Sequence, residues 1–102
     1  MYSVKLKKEI KIGEKNLKEI TFDFDKLTGS DLLYAERIAR LKNPAVIDVT
    51  NSLDFIYIIA SKAAGLGDAF MLDMPAVEAV KIISVVSKFL NGLPVPENIS
   101  EK

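Results

Sequence analysis

LDMPAVEAVKIISVVSKFLNG, residues Leu72–Gly92, has the marks of a long helix with a defined start and a defined stop. Asp73 offers a carboxylate to the first free backbone N–H groups. Pro75 falls in the first turn, where a missing N–H costs nothing. Gly92 can close the helix in the left-handed conformation, and Pro94 prevents its resumption. Between these signals the polar residues Glu78, Lys81, Ser84, Lys88 and Asn91 gather on one arc at about 100° per residue. The remainder, from Ala76 through Val86 to Phe89 and Leu90, is apolar over more than half the circumference. That is wider than the stripe of an ordinary surface helix. This helix requires cover on several sides, from the rest of its own domain or from another chain.

The rest of the chain offers that cover. Val4–Ile12 alternates, with Val4, Leu6, Ile10 and Ile12 on one face and Lys8 as the exception on it; Ile20, Phe22 and Phe24 alternate in the same way. Gly13-Glu14-Lys15-Asn16 between them is turn chemistry, so a β-hairpin is expected over 4–24. Partners on one face must match in parity unless a bulge intervenes, and Ile10 opposite Ile20 is one register that satisfies this. Thr28 with Asp31 forms a capping-box pattern, with Ser30 as a competing cap, and opens a helix over 29–42 that Asn43-Pro44 stops. Thr50 or Asn51 caps a second helix, 51–64, whose Ala60, Ala63 and Ala64 allow close approach of a neighbour. The third helix is 74–91. The loop GLGDAFML carries Phe70, Met71 and Leu72, unusually apolar for a loop, and reads either as a plug sealing the second and third helices or as part of a binding surface. The expected fold is α+β: an N-terminal β-hairpin followed by a three-helix bundle, one domain over 1–92, with a flexible tail over 93–102.

Composition narrows the chemistry. The 102 residues are 49% hydrophobic, enough for a packed core, and carry 14 basic and 14 acidic side chains, so no net field attracts nucleic acid or an acidic membrane. Arg37 and Arg40 are the only arginines. Cysteine and histidine are absent, which removes disulfides, thiol nucleophiles and imidazole bases. The N-terminus lacks the apolar core of a signal peptide, and no apolar run reaches the roughly 18 residues of a membrane span. A soluble, intracellular protein is expected, with no cofactor and no metal.

The candidate reactive groups are weak. Asp23 and Asp25, two apart on the expected strand, could hold a cation, but they read better as solvated strand residues. Gly65-Leu66-Gly67-Asp68 lacks the lysine and hydroxyl of a phosphate-binding loop and reads as a helix stop with a turn. No histidine is present to activate Ser30, Ser52, Ser61, Ser84 or Ser87. The N-terminal lysines are interleaved with Glu9, Glu14 and Glu19, as on a hairpin edge guarded against aggregation.

Three segments carry a family resemblance: Leu27-Thr28-Gly29-Ser30-Asp31-Leu32 with Ala35-Glu36; Asp48-Val49-Thr50-Asn51-Ser52 with Tyr57 to Leu66; and Leu72, Ala76, Val80, Val86 and Phe89-Leu90-Asn91-Gly92. Over roughly Ile20 to Gly92 the chain resembles the small tail assembly chaperones of long-tailed bacteriophages and their prophages. The resemblance implies a non-enzymatic protein of the bacterial host cytoplasm. It would bind the long, hydrophobic, helical tape-measure protein, keep it soluble and recruit tail-tube protein. A chaperone for such a client needs exposed apolar surface on a soluble frame. The broad apolar arcs of the second and third helices nominate Phe55, Ile59, Phe70, Met71, Val86 and Phe89, which are equally the best core candidates. A homo-oligomer is compatible with this reading. The alternatives are a minor structural tail or head–tail joining protein, and a small DNA-binding regulator, which the absence of an exposed basic helix disfavours.

Overall fold

The computed structural model describes residues 2–12 and 14–94. An antiparallel hairpin of β1 (Tyr2–Ile12) and β2 (Lys15–Phe22) is followed by three helices, α1 (Gly29–Lys42), α2 (Leu53–Ala64) and α3 (Ala76–Leu90), the expected α+β arrangement. Short 3₁₀ turns at Phe24–Lys26, Val49–Asn51 and Phe70–Asp73 precede the helices in turn. Of the expected tail, Leu93 and Pro94 follow α3, and 95–102 lie outside the described residues, as does Gly13.

The hairpin register departs from the expected one. Val4 pairs with Ile20, and Ile10 pairs with Leu17 rather than Ile20. Between Lys5↔Glu19 and Ile10↔Leu17, residues 6–9 of β1 face Lys18 alone, so β1 carries an irregularity of odd length. An odd insertion exchanges the faces of a strand, which lets Leu17 join Ile10 on the covered side although their parities differ. It also accounts for Lys8: the one residue that broke the alternation sits inside the irregularity and is exposed. β2 ends at Phe22, earlier than expected. Asp23 turns the chain by accepting the Asp25 N–H at 3.2 Å, and its own N–H donates to the Ala63 carbonyl at 2.9 Å, tying the hairpin to the end of α2.

Helix ends follow local chemistry. At α1 the Thr28 hydroxyl accepts the Asp31 N–H at 3.4 Å and the Asp31 carboxylate accepts the Thr28 N–H at 2.9 Å, a reciprocal capping box. At α2 the cap is Ser52, not Thr50 or Asn51. Its hydroxyl accepts from the Phe55 N–H at 3.3 Å, whereas Thr50 and Asn51 lie in a 3₁₀ turn and donate their side chains to Asp48. At α3 Asp73 does not cap. It closes the preceding 3₁₀ turn, and Pro75 is the N-cap without a side-chain bond. Gly65 and Gly92 both adopt positive φ, +72° and +73°. Beyond each, the next N–H reaches back to a carbonyl of the last turn, Leu66 to Ser61 at 3.1 Å and Leu93 to Lys88 at 2.9 Å.

α2 is the central helix and packs against α1, α3 and β2. Seven of its twelve residues are buried, so its apolar face is as broad as the sequence suggests. The buried residues of α1 are Ala35 and Ala39 alone. Such small side chains, with Ala60 and Ala63 buried on α2, permit close backbone approach. An aromatic junction joins the two halves of the molecule. Phe22, wholly buried, lies 6.1 Å from Phe24 and 6.3 Å from Phe70, and Phe24 stacks on Phe89 of α3 at 5.1 Å. Each such pair adds about 0.5–1.5 kcal/mol beyond area burial. Among the described residues no helix is long and apolar enough to cross a membrane.

Candidate functional site

The six nominated partner-binding residues mostly face inward. Phe55, Ile59, Phe70, Met71 and Val86 are buried in the core, and Phe89 is half-buried against Phe24. Phe70 and Met71 therefore plug the space beneath the helices, while Leu72, the third apolar residue of that loop, stays 65% exposed. Five of the six thus offer little surface to a partner in this conformation. Their burial has a plain cause: α2 is covered by α1, α3, β2 and the 3₁₀ turn at Phe70–Asp73, and α3 by α2 and β1, so the broad apolar arcs close on the domain itself.

The exposed apolar surface lies elsewhere; beside the separate side chains of Leu41, Ile47, Leu53 and Leu93 it includes two places of interest. The first is the outer face of α3 near its start. Val77 and Val80 are 56% and 63% exposed, and Val77 falls within the arc of Lys81, Ser84 and Lys88, where a polar residue was due. Glu78 is the converse. Expected outside, it is 2% exposed, at the margin of that arc. It sits in the first turn of α3, where the helix dipole favours a negative charge.

The second is a groove. α1 and α3 both lie against α2, and between them opens a cleft of about 590 Å³. α1 lines it with Gly29, Leu32, Leu33 and Glu36, spaced i, i+3, i+4 and i+7 on one helical face. The turn before α2 contributes Asp48 to Asn51, α2 contributes Phe55, and the end of α3 contributes Ser87, Leu90 and Asn91. Phe55 is the one nominated residue that reaches this cleft. The volume is within the ordinary range of ligand sites, about 300–1,000 Å³. Its floor is apolar. Its charged lining is two carboxylates, Glu36 and Asp48, with no lysine or arginine. Asp48 is fixed by the Thr50 hydroxyl at 3.1 Å and the Asn51 amide at 2.6 Å, and Glu36 accepts from Arg40 Nε at 3.1 Å.

The sequence held a signal for the groove. Leu32 and Leu33 are adjacent, and a helix whose inward positions are Ala35 and Ala39 cannot bury both. Small residues draw α1 close to α2, and the leucines are left on its flank, half in the groove and half in water.

A polar network lies on the other side of α1. The Tyr34 hydroxyl donates to Asp68 at 2.5 Å, and the buried Ser61 hydroxyl donates to the Ile58 carbonyl at 2.7 Å and reaches Asp68 at 3.5 Å. Lys62 Nζ sits 4.3 Å above the Tyr34 ring. The hydrogen bond to Asp68, then burial and the Asp68 charge, raise the Tyr34 pKa above the ordinary tyrosine value. Ser61 is spent on a backbone carbonyl, so the cluster fastens the loop after α2 to α1 and presents no activated nucleophile. No group of three or more acidic or other metal-ligating residues converges among the described residues. Asp23 and Asp25 are divided between a cap and a 3₁₀ turn rather than paired on a strand.

No protein-family model, curated protein or solved structure matches the chain.

Proposed function

We propose that this chain is a binding protein for an apolar helical client, acting as a phage tail assembly chaperone that holds the tape-measure protein in the bacterial host cytoplasm until tail-tube protein assembles around it. The observation that supports this reading is the apolar surface left outside a well-filled core: Leu72 in the turn before α3, Val77 and Val80 on α3, and Leu32 and Leu33 beside the groove. A helix-in-groove reader needs such surface on a rigid frame. The reading assigns no catalytic step. Co-expression with the tape-measure protein of the same phage or prophage tests it. The client is recovered soluble with this protein and insoluble without it; equal recovery in both cases refutes the reading.

A second reading, a minor structural tail or head–tail joining protein, draws on the two-stranded sheet, in which β1 and β2 pair only with each other. Open strand edges suit ring assembly by strand addition. Mass spectrometry of purified particles separates the two: a structural part is present in the virion, and a chaperone is absent from it.

A further inference from the structure

We infer that the groove between α1 and α3 is the client site, and that its occupant is an amphipathic helix of another protein bearing lysine or arginine beside its apolar ridge. This rests on the chaperone reading and specifies which helix the chain selects. Shape argues for a helix. The α1 face from Gly29 to Glu36 spans two turns, about 10 Å of axis, which matches the i, i+3, i+4, i+7 ridge of one amphipathic helix. The ridge would settle on Leu33, Leu90 and the edge of Phe55, so the apolar contact is built from three separate helices. Charge argues for cations. Every ionisable side chain lining the groove is a carboxylate, Asp48 is held in place by two donors, and Arg40 answers only Glu36. A glutamate-flanked helix would set like charges together there, and a lysine-flanked one opposite charges.

Two other occupants are judged by the same criterion. The chain's own residues 95–102 carry Glu97 and Glu101 against Lys102, the wrong sign for this rim. The hairpin of a second copy is net basic, and makes self-association an outcome the experiment must read.

The probe is a pair of fluorescent model peptides of about 15 residues, with the same leucine ridge, flanked either by lysines or by glutamates. Anisotropy with the full 102-residue chain gives their affinities. The lysine peptide binds about tenfold tighter at low salt, and the gap narrows as salt screens it. Glu36→Lys reduces or reverses the preference. Leu33→Asp, at a position already 46% exposed, abolishes binding of both peptides with the circular dichroism spectrum unchanged. Equal affinity for the two peptides, or full binding by Leu33→Asp, overturns the inference. So does a groove that takes peptide only after residues 95–102 are removed, or only under dilution that dissociates a self-associated form seen by sedimentation. Failure here alongside soluble tape-measure protein in co-expression leaves the chaperone reading standing with its site elsewhere, the Val77–Val80 face first. Success here with an insoluble tape-measure protein leaves the groove as a helix reader and removes that client.

Discussion

Gly65 and Gly67 stand two residues apart in the loop after α2, and alanine at each has opposite consequences. Gly65 ends α2 at φ +72°. A Cβ added there meets only Lys26 Nζ at 3.5 Å, an ordinary contact with the end of a flexible side chain. The cost of Gly65→Ala is therefore conformational, about 1–2 kcal/mol for an L-residue in the left-handed region. Gly67 has no positive φ, and nothing lies within 4 Å of its added Cβ. Gly67→Ala removes freedom from the unfolded chain alone and is expected to stabilise by about 0.4–1 kcal/mol. The two variants should differ by about 1.4–3 kcal/mol, and at about 4–8 °C per kcal/mol for a domain of this size their Tm values should lie at least about 6 °C apart. Reversible thermal unfolding followed by circular dichroism, with urea titration as a second measure, reads the difference. Equal shifts in the two variants, or a Gly65→Ala protein as stable as the parent, would show that the α2 terminus is not held by this left-handed glycine.

Thr28→Ala removes one half of the capping box and should cost about 0.5–2 kcal/mol in urea unfolding, while Ser30→Ala, next to it and without a capping bond, should change little. Tyr34 should titrate later than an ordinary tyrosine in ultraviolet difference spectra, and Asp68→Asn should bring it back toward normal. Because the folded pKa is the raised one, this hydrogen bond stabilises the fold fully below the unfolded tyrosine pKa. Its contribution is lost as pH climbs from there through the folded value, so the stability gap between the parent and Asp68→Asn should be widest at neutral pH and should narrow at alkaline pH. Val80→Lys, on the open face of α3, should alter stability by less than about 0.5 kcal/mol, and a larger loss would mean that this face is covered in the free protein.

The elements themselves were legible because their signals are local. The Thr28–Asp31 pair, Gly65, Gly92 and the alternation through Ile20 and Phe22 each act within a few residues, and the structure uses them as read. What failed was the choice among competing partners. Ile10 could not be paired correctly from parity, because an irregularity in β1 changes the count, although Lys8 out of place was its trace. Ser52 displaced Thr50 and Asn51 as the α2 cap because Asp48 takes their side chains into a 3₁₀ turn of its own. The site was legible only in kind. A surplus of apolar residues was evident, but which of them stay wet depends on what the other elements cover. Phe70 lies against Phe22 of the hairpin and Val86 is wholly buried, while Val77 and Leu33 stay open. Phe55 alone belonged both to the expected set and to the groove.

The irregularity in β1 has a mechanical consequence. It divides the ribbon into an inner part, anchored through Val4, Ile20 and Phe22, and an outer arm, residues 10–12 with 15–17, that has its own pairing frame. Unzipping that begins at the tip meets a break in the ladder before it reaches the anchored strands. The arm is nevertheless held by packing, since Ile10, Ile12 and Leu17 are half-buried against the core, so an opening that exposes the outer amides must first release those three side chains, and it leaves the junction at Phe22 shut.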